Sequence, residues 1–387
     1  MKRVVMVGGT VQPIPPKKGA AVEWWMLQVS RRLAAWEPHI IAIRGEGQSD
    51  EEQIDGVTIH RIAVGRAYKR LFQKMTPLDP WPYEKRAAAI ARRIGADLVH
   101  VHNAPKVYCT IAAALGPERT ILHLHNDMAV PCPERLQHAF TPSTYLAGVV
   151  RQKYPAATVR VLPNGVDAPL FARAAGGTPR DARIPSGRPV VLYAGRMSPE
   201  KGPLVVAQAF AELRKRRPDA FLVLAGEFSV GPATSNRVRY GDEIRRVVAG
   251  YANHALVLGS VTPERMHEIY AQADLVIVPS QFEEPFGMVA LEALAAGRPV
   301  LAFRRGGLTE FIADGQNGFL MEGTDDRARL AERIDALLGD PASLARVAAA
   351  ARASVAEKYD WSVVARSVEA AYADVLAESH GRREGAA

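Results

Sequence analysis

The stretch from Asp274 to Pro299 most restricts what this chain can fold into. Leu275-Val276-Ile277-Val278 is apolar at every position and bounded by Pro279 and Ser280, as in a parallel strand buried on both faces. Pro285 disfavours helical geometry at Glu284, so residues 281–286 form a loop, and Gly287 through Ala296 reads as a helix closed by Gly297 and Pro299. A strand, a short loop and a helix make the repeating unit of an α/β sheet.

The same alternation runs along the whole chain. Strands are predicted near 3–8, 39–43, 57–62, 97–102, 120–125, 137–141 and 158–162, with helices near 20–35, 83–94, 105–115 and 143–153 between them. A second series of strands falls near 189–194, 220–225, 255–258, 275–278, 299–302 and 318–320, with helices near 203–216, 239–252, 263–272, 287–296, 307–313 and 326–338. The expectation is two doubly wound parallel-sheet domains, 1–167 and 188–360, joined by a glycine- and proline-rich linker at 168–187. Alanine-rich segments from Pro341 to Ala377 read as two terminal helices, and the polar tail 379–387 is expected to be disordered.

Glu284 lies in the predicted loop and Glu292 a little over one turn into the helix, so they address different parts of one ligand. That spacing argues against a glycoside hydrolase, whose two acids flank one bond at short separation. Carboxylates suit hydroxyl groups, while a helix N-terminus suits phosphate oxygens. Upstream, the strand Pro189–Ala194 runs into a glycine turn at Gly195, then Arg196 and Lys201, before a helix from about Pro203 to Arg214. Two cations at the carboxyl end of a parallel strand occupy the usual ligand position of an α/β sheet. Arg can grip two phosphate oxygens and Lys serves as a point charge.

Gly195-Arg196 followed by Glu200-Lys201-Gly202, with the Glu284-to-Glu292 segment, resembles the retaining glycosyltransferases of family 4, which have the GT-B fold. Pro163-Asn164-Gly165-Val166-Asp167, Gly306-Gly307 with Glu310, and Asp314-Gly315-Gln316-Asn317-Gly318-Phe319 complete an ordered set that spans nearly the whole chain. The resemblance implies two Rossmann-like domains facing a cleft, the first on the acceptor side and the second binding the nucleotide sugar. It also implies a last helix, about 361–378, that crosses back to the first domain and is entered at Asp360-Trp361.

By the same resemblance Arg196 and Lys201 neutralise the donor diphosphate, Glu292 accepts from the ribose, and Glu284 accepts from hydroxyls of the transferred sugar. The backbone N–H groups of Gly287, Met288 and Val289 face phosphate and sugar oxygens, and Gly195 and Gly19 line the donor. The leaving phosphate itself takes the acceptor proton, so no protein nucleophile is needed. Family members have a histidine at the end of the strand here predicted at 120–125; His125 matches it, and with Asn126 it is assigned to the acceptor side. His123 shares its face by period-two alternation, so position at the strand end selects His125. This chain has Lys17-Lys18-Gly19-Ala20 where a glycine pair is usual.

His100 and His102 end the strand before, which raises a metal site; however, no Asp-x-Asp occurs and the two cysteines, Cys109 and Cys132, lack zinc-ligand spacing. The expectation is catalysis without metal or cofactor, the nucleotide-diphosphate sugar being a co-substrate. Two cysteines imply no disulfide scaffold. There is no apolar run of membrane-spanning length and no signal peptide, so the cytoplasm is the expected compartment.

Charge is uneven. Residues 1–170 carry 22 Lys+Arg against 14 Asp+Glu, so the whole net charge of +8 sits in that half. Arg61, Arg66, Lys69, Arg70 and Lys74 interleave with Ile62, Val64, Tyr68, Leu71 and Phe72 and no acid, which suits an anionic membrane surface or an anionic acceptor. Nucleic acid is not expected, since no helix-turn-helix, zinc finger or RNP-like sequence occurs. The partners are then a nucleotide sugar and a saccharide or lipid-linked acceptor, in envelope or exopolysaccharide synthesis. The alternatives are a catalytically silent coat or scaffold protein on this fold and a sugar-nucleotide epimerase. A nicotinamide oxidoreductase is excluded, because no strand is followed by Gly-x-Gly-x-x-Gly with an acid after the next strand.

Overall fold

The computed structural model describes residues 1–16, 20–64, 81–228, 235–323 and 326–384. The chain divides into two compact units, Met1–Gly165 with Trp361–Ala387, and Val166–Asp360. Gly19 and the basic residues Arg66, Lys69, Arg70 and Lys74 lie outside the described residues.

Among the described residues the first unit holds an eight-stranded sheet in the order β3-β4-β2-β1-β5-β6-β7-β8. The strands are β1 (Lys2–Val7), β2 (Trp36–Ile43), β3 (Glu51–Ile54), β4 (Val57–Ile62), β5 (Leu98–His102), β6 (Thr120–His123), β7 (His138–Thr141) and β8 (Thr158–Val161). Successive residues of β1 show why the sheet is covered on both sides: Val5 and Val7 enter one core cluster, Val4 and Met6 the other. The helices Tyr83–Ile94, Pro105–Leu115 and Thr144–Lys153 contribute to the first cluster, and the helix Ala21–Ser30 to the second. The chain leaves β1 for β2 on one side and later returns beside β1 as β5. The strand order therefore reverses at the β1/β5 boundary, where doubly wound sheets bind ligands.

The last helix, Trp361–Glu384, belongs to this unit and lays Val364, Val368, Tyr372 and Val375 against Val4, Met6 and Trp25. Its first residue fixes the identity of Gly165: a Cβ there would sit 2.4 Å from the Trp361 ring. The expected tail is shorter than 379–387, because the helix continues through Glu384. Ser379 is buried, and its hydroxyl donates to the carbonyls of Glu118 and Val375.

Among the described residues the second unit carries a six-stranded, all-parallel sheet in the order β11-β10-β9-β12-β13-β14. Its strands are β9 (Val190–Ala194), β10 (Phe221–Ala225), β11 (Ala255–Gly259), β12 (Leu275–Val278), β13 (Val300–Phe303) and β14 (Phe319–Met321). Val190, Leu192 and Ala194 of β9 face one core and Val191 and Tyr193 the other, so both faces again are covered. The order reverses between β9 and β12. Here too the reversal opens a place at the carboxyl ends of two adjacent strands.

Four details correct the sequence expectations. The stretch expected as a linker at 168–187 begins with a helix, Ala168–Gly177, whose N-cap Asp167 accepts from the Leu170 N–H at 2.9 Å and whose Phe171 and Ala174 are buried. β3 pairs antiparallel with β4 at the sheet edge. Arg61, expected on a basic surface, is 4% exposed; it donates to the carbonyl of Ile14 and pairs with Glu52 at 2.6 Å. Cys109 and Cys132 are joined by a disulfide with a Cα–Cα distance of 5.8 Å, a single cross-link between the helix Pro105–Leu115 and the loop after β6.

Candidate functional site

At the β9/β12 reversal, the loops after four strands are laced together at backbone level. The Gln281 N–H donates to the Glu200 carbonyl at 2.9 Å, joining the loops after β9 and β12. The Gly307 N–H donates to the Glu284 carbonyl at 2.8 Å, joining those after β12 and β13. Glycine is required where these loops touch: a Cβ on Gly226 would fall 1.8 Å from the Gly195 carbonyl oxygen, and one on Gly202, which has φ +70°, 2.3 Å from that of Pro279. Gly287 combines φ +108° with a Cβ position 2.3 Å from Leu308. Such left-handed backbone costs a side chain about 1–2 kcal/mol before any clash is counted.

Lys201 ends a 3-10 turn, Pro199–Lys201, and Glu284 sits in the loop after β12; 83 residues apart in sequence, they meet at 2.6 Å (Nζ to Oε1). Glu284 is 5% exposed, and its Oε1 also accepts from the Ser280 hydroxyl at 2.6 Å. The ammonium lies 4.7 Å from the centroid of the Phe282 ring. One oxygen of this carboxylate, Oε1, is thus held by two donors.

Arg196 stands apart from that pair. Its side chain is 64% exposed and its Nη1 lies 3.5 Å from Glu200 Oε1, so the guanidinium is open to an anion. Gly287 is the N-cap of the helix Met288–Ala295 and makes no side-chain cap bond to its first turn. The Ala290 N–H already donates to the Gly287 carbonyl at 3.1 Å, which leaves the Met288 and Val289 N–H groups and the helix dipole to face negative charge. Glu292, within that helix, accepts from the Tyr270 hydroxyl at 2.8 Å through Oε2. Its burial pushes its carboxyl up to about 7, against the Tyr270 hydrogen bond, which acts downward.

In the first unit, His100, His102 and His123 are fully buried and His125 is 8% exposed. His125 follows β6 by two residues, its N–H donates to the Asn103 side chain at 3.2 Å, and its Nε2 lies 3.3 Å from His102 Nδ1. The His123 and His125 rings stack at 4.0 Å, and Trp25 packs edge-on against His123 at 4.9 Å. Burial holds His125 down at about 3, a neutral imidazole suited to orienting a hydroxyl and weak as a base. Asn126 beside it is exposed. Ligand nitrogens of His100, His102 and His123 lie within 4.8 Å of one another, and these are the described residues grouped so as to suit a metal ion.

The structure therefore brings Lys201 and Glu284 into direct contact and places Gly195, Gly287, Met288 and Val289 in the surrounding loops and helix start. It leaves Arg196 on the open side and ties Glu292 to a tyrosine. Sequence reasoning missed Ser280, Tyr270 and Gly226. Ser280 precedes Glu284 by four residues and could have been suspected; Tyr270 and Gly226 act across the fold and carry no local signal.

Residues 178–354 match the family model for glycosyl transferases group 1, and residues 22–169 that for glycosyltransferase family 4. The chain is 34% identical over 379 residues to the lipopolysaccharide 1,2-N-acetylglucosaminetransferase of Salmonella typhimurium, covering 95% of this chain and 97% of that one. It is 25% identical to spore coat protein SA of Bacillus subtilis, covering 96% and 99%. Among solved structures, sucrose-phosphate synthase from Thermosynechococcus elongatus superimposes with a TM-score of 0.79 at 20% identity, over 98% of this chain and 100% of that one. Anabaena HepE in complex with UDP-glucose gives 0.72 at 20% identity, over 97% and 99%. The fold is GT-B.

Proposed function

We infer the reaction from one premise: this chain belongs to the group 1 glycosyl transferases of glycosyltransferase family 4, and is a glycosyltransferase. We propose that it moves a hexosyl-type sugar, with retention, from a nucleoside-diphosphate donor to a hydroxyl of a saccharide acceptor. The product would belong to a lipopolysaccharide or related envelope polysaccharide, as the name of the Salmonella relative suggests. The observation that carries this reading is the Lys201–Glu284 pair, a cation and a carboxylate meeting at the β9/β12 reversal.

In this reading Lys201 and Arg196 bind the diphosphate and stabilise the charge that grows on it as the glycosidic bond breaks. Each charge-assisted hydrogen bond there is worth about 1.5–3 kcal/mol. The N–H groups at Gly287, Met288 and Val289 receive phosphate and sugar oxygens, and Gly195 lets the backbone approach closely. Oε2 of Glu284 accepts from a sugar hydroxyl, and Glu292 from the ribose. The acceptor hydroxyl passes its proton to the departing phosphate on the face from which that phosphate leaves, with neutral His125 and Asn126 orienting the acceptor side. Neither a metal ion nor a protein nucleophile takes part in this step.

Uridine is the proposed base, because the superimposed Anabaena protein is in complex with UDP-glucose. Glycosyltransferase identity leaves the epimerase and silent-scaffold alternatives without support from the site, since Arg196, Lys201, Glu284 and Glu292 are all present. The test is product stereochemistry. Incubation with UDP-N-acetylglucosamine or UDP-glucose and a saccharide acceptor should give, by proton NMR, a glycoside with the donor's anomeric configuration. An inverted product would overturn the proposal.

A further inference from the structure

Each acid of the site has one oxygen held by donors among the described residues. Ser280 and Lys201 hold Oε1 of Glu284, and Tyr270 holds Oε2 of Glu292. The second arrangement is the less expected. Tyr270 ends a short helix, Met266–Tyr270, ahead of β12, and its ring is fully buried, packed against Phe171 at a centroid distance of 6.0 Å. A phenol so enclosed has a fixed direction for its O–H, and it spends that donor on a carboxylate 22 residues away.

Resting on the reading of Glu292 as the ribose acceptor, we propose that Tyr270 is a positioning residue for donor recognition: it pins Oε2 of Glu292, so that Oε1 is the oxygen presented to the ribose. A carboxylate on a helix otherwise samples several rotamers, and a lone hydrogen bond to a rigid aromatic removes that freedom before the ligand arrives. The contact also discriminates between protonation states. A phenol that donates favours the acceptor's ionised form, the form able to take two ribose hydroxyls at once.

Other charged groups on the elements packed around Glu292 make no hydrogen bond to it among the described residues. On the short helix Glu268 pairs with Arg265 at 2.9 Å, and His267 packs edge-on against Phe171. Beyond the C-terminus of Glu292's own helix, Arg298 interacts with Asp274. On the helix Pro341–Tyr359, Arg352 covers Gly297. On the helix Ala168–Gly177, Arg173 is exposed. Tyr270 is thus the titratable group in hydrogen-bond contact with Glu292 among the described residues.

The test uses the full chain and whichever of UDP, GDP or ADP raises its melting temperature most. Its affinity is measured by calorimetry from pH 5.5 to 9 for the wild type, Tyr270→Phe and Glu292→Gln. In the wild type, binding should weaken as pH falls through the Glu292 titration. In Tyr270→Phe the midpoint of that profile should move to higher pH, with affinity at pH 7 down at least threefold and recovering toward the wild-type value at pH 9. A merely structural tyrosine would weaken binding equally at every pH.

If Tyr270→Phe leaves midpoint and affinity unchanged while Glu292→Gln loses affinity, the positioning role is wrong and the ribose reading stands. If Glu292→Gln binds as the wild type does, or no nucleotide raises the melting temperature, the ribose reading itself falls. Should Tyr270→Phe not fold, 3-fluorotyrosine at position 270 replaces it: its more acidic phenol donates more strongly and should move the midpoint down. An unmoved midpoint in that variant overturns the proposal.

Discussion

Replacing Lys201 by Met separates what the Lys201–Glu284 pair does for stability from what it does for turnover. The two side chains are 23% and 6% exposed, so the variant leaves a nearly enclosed carboxylate with the Ser280 hydroxyl as its remaining donor. Removing one partner of a buried pair costs about 3–5 kcal/mol, and the partly exposed lysine puts this case near the low end, about 3. At about 2–4 °C per kcal/mol for a domain of this size, the melting temperature should fall by about 6–12 °C. Glu284→Gln should cost less, about 1 kcal/mol, because the ammonium can turn to water and the amide oxygen can still accept from Ser280. In Lys201→Met with Glu284→Gln no uncompensated charge remains, so the double variant should be more stable than the sum of the single losses by about 1–2 kcal/mol. Turnover should behave differently. Every variant lacking Lys201 should lose at least about tenfold, the equivalent of about 1.4 kcal/mol of transition-state stabilisation. Scanning calorimetry and initial rates with a nucleotide sugar read the two effects. Strictly additive melting losses, or turnover that returns along with stability in the double variant, would refute the reasoning.

Arg196→Ala should lower turnover by at least about tenfold with almost no change in melting temperature, since the side chain is largely exposed; unchanged initial rates would remove it from the site. Gly226→Ala should destabilise the second unit by more than about 3 kcal/mol in denaturant titrations, because backbone stands where the methyl must go; a variant as stable as the wild type would contradict that contact. Glu292 has a carboxyl raised by burial to about 7, so the fold disfavours its ionised form and loses stability as pH climbs from the ordinary glutamate value through 7. Glu292→Gln should accordingly melt higher than the wild type at pH 8 and equally at pH 5, and equal melting at both would show that the group is not so raised. Vesicles containing anionic lipid should retain the protein at low salt and release it at high salt if the basic first half meets a membrane; indifference to lipid charge would end that idea.

Much of the architecture was legible because the strands are apolar at nearly every position and each is followed by a loop and a helix. Val190-Val191-Leu192-Tyr193 and Leu275-Val276-Ile277-Val278 could be little else, and both became central strands. What escaped notice had no such pattern. Glu51-Glu52-Gln53-Ile54 lacks alternation, because as an antiparallel edge strand it exposes most of its side chains. The helix Ala168–Gly177 was hidden by Pro169, which is tolerated in its first turn, and by the two glycines at its end. Ser379 looked like part of a polar tail, yet docking of the last helix buries it.

For the site, loop signatures named Lys201 and Glu284, but not that they would touch. That contact depends on which strands are neighbours, a property of the sheet order and not of either segment. Tyr270 illustrates the limit, since nothing near it distinguishes a buried core tyrosine from one aimed at a glutamate. Arg61 shows the opposite error: a cation within a basic run turned inward, because Glu52 and the Ile14 carbonyl await it across the sheet edge.

The most direct test of the whole account is a diffraction structure of the protein with UDP or the better-binding nucleoside diphosphate. Phosphate oxygens should lie about 3 Å from Lys201 Nζ, with the first turn of Met288–Ala295 facing the same group and the ribose hydroxyls on Glu292. A nucleotide seated away from the carboxyl ends of β9 and β12, with the Lys201–Glu284 pair facing solvent, would contradict it.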